Sequence, residues 1–307
     1  MNMPRQVIGR SKLSSSVLGL GCMRMGDRPD DDAARVLAAA VEAGITLFDH
    51  ADIYAGGRSE EVFARAVAAL KLPRSAYVLQ SKCGIRSGFF DFSREHILAS
   101  VEGSLRRLRA DYLDILLLHR PDTLMEPEEV ASAFSELRER GYVHHFGVSN
   151  QHPGQIALLQ ASCDHPLLVN QVQASLAHTP IFDHGFNVAM KVDAATDRVG
   201  GVLEYCREHG ITLQAWSPLQ FGFFQGVFID HPNYGPLNET LRRIGAEQGA
   251  SASAVALAWL LHHPARIQPI IGSMNPDRIR DMARAPSVTL DRAQWYECYR
   301  AAGNVLP

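Results

Sequence analysis

Gly44-Ile45-Thr46-Leu47-Phe48-Asp49-His50-Ala51-Asp52-Ile53-Tyr54 is the stretch whose reading decides the fold. The glycine suits the left-handed residue that closes a helix. The apolar run after it reads as a short strand, and that run ends on a carboxylate. The same unit recurs along the chain: a β run, a turn, a longer helical stretch, a glycine, then another β run. The runs are Val17–Gly21, Ile45–Asp49, Tyr77–Ser81, Asp114–His119, His145–Ser149, Leu168–Gln171, Ile211–Trp216 and Gln268–Gly272. Alternation of this kind is the sign of βαβ units and a parallel sheet, and eight of them predict an α/β fold closed into a single (β/α)8 TIM barrel.

The intervening helices have legible ends. Ser93 suits an N-cap, with Ile97, Val101, Leu105 and Leu108 following at helical spacing. Pro127, Glu128 and Glu129 open another helix, and Arg138, Arg140 and Gly141 close it, as the helix dipole and the C′ preference for glycine require. Gly44 and Gly210 stop two more. Two features depart from the repeat. Gln6–Arg10 and Lys12–Ser16 read as an N-terminal β-hairpin that closes the barrel floor. The connections Ala174–Gly200 and Ser217–Leu237 are too long for ordinary βα loops. Both follow β runs, so both belong on the catalytic face, and the first is expected to roof a substrate pocket.

At 307 residues, 46% hydrophobic and 8% aromatic, the chain is expected to form one domain spanning 1–307 with a large core. A formal net charge of −3 gives no electrostatic case for nucleic acid or an anionic membrane surface. No apolar run reaches the roughly 18 residues of a membrane span, and the first residues lack a secretory signal. The five cysteines are scattered and form no CxxC pair, which points to reduced thiols and a cytoplasmic protein.

The ends of the β runs carry the chemistry. They finish on Asp49, Lys82, His119, Ser149 with Asn150, Gln171, and Trp216 with Ser217. In a barrel of parallel strands these ends converge on one mouth, where active sites are found. A tyrosine with an ordinary pKa near 10 is too weak an acid for proton exchange at neutral pH. A lysine beside it favours phenolate, and a carboxylate keeps that lysine charged and oriented. Tyr54, Lys82 and Asp49 supply those groups, and His119 can donate a hydrogen bond to a carbonyl oxygen. A hydride source would have to come from a cofactor.

These residues resemble the aldo-keto reductase superfamily through essentially the whole chain. Gly44–Tyr54, Gln80-Ser81-Lys82-Cys83-Gly84, Tyr112–Asp122, Gly147–Asn150, Asn170-Gln171 and Gly272–Arg278 are similar to the family's motifs in order and spacing. The resemblance implies a catalytic set of Asp49, Tyr54, Lys82 and His119 and an NADPH/NADP+ site. In that site Trp216 stacks on the nicotinamide, and Ser149, Asn150 and Gln171 hold its carboxamide. Ser217 and Leu219 lie along the pyrophosphate, and Arg278 meets the 2′-phosphate with a bidentate fork. Gly21, Cys22, Gly272 and Ser273 complete the cofactor set. His50, Tyr54, His119 and Trp216 face a small-molecule carbonyl substrate, and no metal is required. Two departures stand out. Gly272 takes a place where many members have lysine, and His50 replaces a common threonine. Phe89, Phe90, Phe221, Phe223 and Phe224 suggest an apolar entrance.

Two other readings compete with this one. A metal-dependent barrel hydrolase would use His50, Asp52, Lys82 and His119, but position 52 is no histidine and no aspartate ends the last run. A nucleotide-binding redox sensor of the same family remains the alternative to the reductase, set apart from it by turnover.

Overall fold

The computed structural model describes residues 3–307. The hairpin pairs β1 (Arg5–Val7) antiparallel with β2 (Ser14–Ser16). The strands β3 (Gly19–Gly21), β4 (Leu47–Asp49) and β5 (Val78–Cys83) follow. A second small hairpin, β6 (Ile85–Arg86) with β7 (Phe89–Phe90), stands at the end of β5. Then come β8 (Leu113–Leu118), β9 (Val143–Ser149), β10 (Leu167–Gln173), β11 (Thr212–Trp216) and β12 (Gln268–Ile271). Eight strands close into a barrel in the order β10-β11-β12-β3-β4-β5-β8-β9, every pair parallel. The α/β TIM barrel with its N-terminal hairpin is therefore the observed architecture.

The barrel has two apolar compartments. Inside its lower half, Ile8 from the hairpin turn packs with Leu47, Val78, Ile115, Leu117, Leu168 and Ile270, which stoppers the floor. The larger core lies between the strands and the helical ring. Two glycines are required by geometry. Gly44 closes the helix Asp30–Glu42 at φ 83°, where a Cβ would stand 2.6 Å from Met3 Cβ. Gly147 lies inside β9, where a Cβ would come within 2.7 Å of the Val169 carbonyl oxygen on β10.

The helix ends match the sequence reading. Ser93 accepts a hydrogen bond from the His96 amide at the start of Arg94–Leu108. Pro127 opens Pro127–Glu139, and Gly210 takes φ 63° behind Val202–His209. No helix among the described residues is long and apolar enough to cross a membrane.

The connection 174–200 overturns its expectation. It does not roof the mouth, and none of its residues lines the cavity described below. It folds instead into the helix Pro180–Phe186, laid against the C-terminal part of the chain. Phe182 meets Trp259 and Trp295 edge-on, Phe186 meets Tyr299, and the Tyr299 hydroxyl donates to Asp183 at 2.7 Å. Buried Ile181 and Phe182 find more apolar surface there than an open mouth offers.

Candidate active site

Because the barrel strands are parallel, the residues that end them share one rim. Asp49 closes β4, Lys82 is the penultimate residue of β5, and His119 follows β8. Tyr54 opens a tight turn, Tyr54–Gly57, that brings it back over the rim. Lys82 Nζ donates to Asp49 Oδ2 at 2.7 Å, to the His50 carbonyl oxygen at 2.9 Å and to Tyr54 Oη at 3.1 Å. The Tyr54 and His119 rings stand edge to face with centroids 5.8 Å apart. The four residues that sequence reasoning grouped are thus gathered around one point.

Burial sets the electrostatics. It lowers the Lys82 pKa, but Asp49 and Tyr54 more than offset it, so the ammonium is held above its usual range. Burial, Lys82 and Arg120 drive His119 well below its ordinary value, leaving a neutral ring at neutral pH. Its Nδ1 has no partner among the described residues. Tyr54 departs from expectation. Lys82 pulls its pKa down, but burial outweighs that pull and Asp49 opposes it, so the net shift is upward. Burial is the larger effect, and Asp49 offsets only part of the pull that Lys82 exerts on the phenol. Tyr54 is accordingly held as the protonated acid.

The mouth opens into a cavity of about 900 Å³. Gly21, Ser149, Asn150, Gln171 and Trp216 line it near Tyr54 and His119. Trp216 Nε1 donates to Asn150 Oδ1 at 2.9 Å, which fixes the indole. Asn150, at φ 59°, donates through Nδ2 to the His119 carbonyl oxygen and to Ser149 Oγ. Ser217 and Leu219 continue the wall, as do Gly272, Ser273 and Arg278. Asn275 caps the helix Pro276–Met282 by accepting from the Asp277 and Arg278 amides. The connection after β11 adds Phe223 and Phe224, 60% and 49% exposed, beside Trp216.

Two expected site residues lie off this wall. Cys22 is fully buried behind Gly21, its thiol turned to the Leu20 carbonyl oxygen at 3.6 Å. His50 is fully buried against Phe63, ring centroids 4.6 Å apart, and touches neither the cavity nor Tyr54 with its ring. Successive strand residues face opposite sides of a sheet. The neighbours of Gly21 and Asp49 must therefore point into the helical layer. Phe221 packs on His231 and Tyr234 rather than lining the cavity, and Phe89 and Phe90 stay on their exposed hairpin. No group of three or more metal-binding side chains stands together among the described residues.

Sequence reasoning missed the glutamines that join Gln171 below the rim. Asp49 Oδ1 accepts from Gln80 Nε2 at 2.6 Å and from Gln171 Nε2 at 3.2 Å. Both glutamines also donate to Gln214 Oε1, at 2.8 and 2.9 Å. Gln214 donates in turn to Gln268 Oε1 at 3.0 Å, and Gln268 donates to Ser15 Oγ and the Ser16 carbonyl oxygen. The signal was present: Gln80 and Gln214 interrupt apolar β runs, Gln268 opens one, and a buried amide demands partners. Arg120, immediately after His119 in the segment Tyr112–Asp122, also lines the cavity.

The model of the Aldo/keto reductase family matches residues 17–302. A 6-dehydroglucose reductase of Agrobacterium fabrum is 38% identical over 305 residues, 95% of each chain. A Bacillus subtilis protein named uncharacterized oxidoreductase YcsN is 37% identical over 302 residues, 94% of each chain. Among solved structures, a thermostable aldo-keto reductase, Tm1743, in complex with the inhibitor epalrestat, is similar with a TM-score of 0.78. It is 25% identical, and the match covers 97% of this chain and 100% of that one.

Proposed function

The chain belongs to the Aldo/keto reductase family, and on that footing we propose that it is a cytoplasmic, NADPH-dependent reductase of small aldehydes and ketones, acting as one unit over residues 1–307. Membership makes it an oxidoreductase of carbonyl compounds. The observation that carries the finer reading is the run of hydrogen bonds from Asp49 through Lys82 to Tyr54, delivered to the cavity opposite a neutral His119.

The donor set suits a nicotinamide dinucleotide. Amide donors and acceptors, Asn150 and Gln171, line the same cavity as the indole of Trp216, and Arg278 lies on the segment after the last strand. A guanidinium there favours a 2′-phosphate, hence NADPH over NADH. Bound NADPH supplies the hydride. The protein's own part is positional and acidic. Tyr54 Oη and His119 hold the carbonyl oxygen and polarise it as negative charge develops. Tyr54, kept protonated by burial, gives that oxygen its proton, and Lys82 stabilises the phenolate left behind. Asp49 keeps Lys82 charged. The five cysteines are all unpaired, in keeping with a reducing compartment.

Titration of NADPH and NADH against tryptophan fluorescence, followed by an aldehyde panel read at the nicotinamide absorbance, tests this reading. NADPH binding with carbonyl-dependent oxidation is expected. Binding without oxidation would favour the sensor alternative, and no binding would end the proposal. Tyr54→Phe is expected to lower kcat by about 10²–10⁴-fold while NADPH affinity stays within a few-fold. Undiminished turnover in that variant would remove Tyr54 from the acid role.

A further inference from the structure

Arg120 follows His119 and leans across the mouth, its guanidinium carbon 5.6 Å from the Trp216 ring centroid and 5.5 Å from that of Phe223. It is half-buried and lines the same cavity as Tyr54 and His119. The cavity's other wall residues do not neutralise it: burial depresses its pKa, and no carboxylate is among the groups that oppose that shift. Three other enclosed cations of this protein are answered. Lys82 meets Asp49, Arg74 meets Asp114, and Arg107 meets Glu60. A guanidinium taken partly out of water beside two aromatic faces is costly unless an opposite charge or planar acceptors meet it.

The barrel order shows which anion that is not. Arg278 lies after β12 and Arg120 after β8, and these strands stand half a barrel apart in the closed order. Arg24 and Arg28, also on the cavity wall, follow β3, the neighbour of β12. The phosphates of a dinucleotide held by Arg278 therefore have cations on their own side, and Arg120 is left to the substrate. Neutral hydroxyls could accept hydrogen bonds from it but would not answer its charge.

Resting on the carbonyl-reductase reading above, we infer that Arg120 is a specificity residue that selects substrates bearing a carboxylate a few bonds from the reacting carbonyl: short-chain oxo-acids, such as the semialdehydes of dicarboxylic acids. The short separation follows from its place, next to His119 in sequence and within electrostatic reach of both His119 and Tyr54. Its planar fork matches a carboxylate bidentately, while Trp216 and Phe223 steady its plane. The reaction is otherwise unchanged. The hydride pair forms the new C–H bond, the carbonyl π pair passes to oxygen, Tyr54 supplies the proton, and the products are the hydroxy-acid and NADP+. Arg120 keeps its protons throughout.

The test compares kcat/KM at saturating NADPH for succinic semialdehyde, its methyl ester and glyceraldehyde, in the natural protein, Arg120→Met and Arg120→Lys. The natural protein should favour the acid over its ester by about 30-fold, the scale of a charge-assisted hydrogen-bonded contact. Arg120→Met should collapse that acid-to-ester ratio to near one, through KM, whatever it does to absolute rates. Arg120→Lys should restore part of it. A natural protein that treats acid and ester alike, or a ratio that survives Arg120→Met, overturns the inference while leaving the reductase intact. A loss confined to glyceraldehyde would assign Arg120 to hydroxyl recognition and overturn it too. Failure to reduce any of the three would instead strike the reductase reading beneath it.

Discussion

His50 shows how far a single position can be read. Asp49, Lys82 and His119 were legible because each interrupts or ends an apolar run with a group that has no business in a core. His50 looked equally exposed to chemistry, but one step along a strand reverses the side chain's direction, and no local pattern told which of the two neighbours faced inward. In the fold its ring is fully enclosed, and neither nitrogen has a partner among the described residues. Burial, aided by Lys82, lowers its pKa to about 3. The native protein therefore refuses a proton that the unfolded chain takes up near pH 6.5. Stability is unaffected by this residue above that pH and falls as pH drops below it, by about 1.4 kcal/mol per unit. His50→Leu removes two buried polar atoms and the titration together. It should leave stability at pH 7 equal or higher, and should shrink the loss between pH 7 and pH 5 by about 2 kcal/mol. Urea unfolding at the two pH values decides it, and an unchanged loss in the variant would refute the assignment.

Elements were legible in proportion to how locally their fate is decided. Strands and helix caps follow from residues within a turn of one another, so Ser93, Pro127 and Gly210 could be placed from sequence. The connection 174–200 could not, because its destination is an aromatic patch on Trp259, Trp295 and Tyr299, far along the chain. The other long connection did reach the mouth. It is tied down at its base, where Ser175 Oγ donates to the Gln220 carbonyl oxygen and Gln173 Nε2 to that of Gly222. Its tip presents exposed Phe223 and Phe224 against Trp216. A loop with a fixed base and an apolar tip beside the wall proposed to hold the cofactor is suited to slow the release of a bound nucleotide. Phe223→Ala combined with Phe224→Ala should speed NADPH dissociation about tenfold, the effect of roughly 1.4 kcal/mol of lost contact. Stopped-flow fluorescence measures it, and an unaltered off-rate would show that the tip does not hold the nucleotide.

For the whole molecule, closure into a barrel was legible from the count of repeating units, but the character of its interior was not. Apolar runs lead one to expect an apolar axis. The axis is instead crossed by amides, since Gln80 on β5 and Gln214 on β11 come from opposite sides of the closed order. Replacing one of them should hurt more than replacing several. Gln214→Leu strands the amide oxygens of Gln80 and Gln268 and takes one of two acceptors from Gln171, at about 1–3 kcal/mol for each group left unsatisfied. Converting Gln80, Gln214 and Gln268 together to leucine or methionine should recover part of that loss. Chemical denaturation of the single and triple variants makes the comparison, and additive losses would contradict it.

This chain of amides begins on the hairpin at Ser15 and Ser16 and finishes on the carboxylate at the rim. Any four neighbouring strands taken alone would expose cut ends of it. The barrel is consequently a poor source of interchangeable halves: a chimera joining part of this chain to a relative must import the glutamines as a set, or replace them as a set, because modularity stops where a shared polar thread crosses every plausible seam.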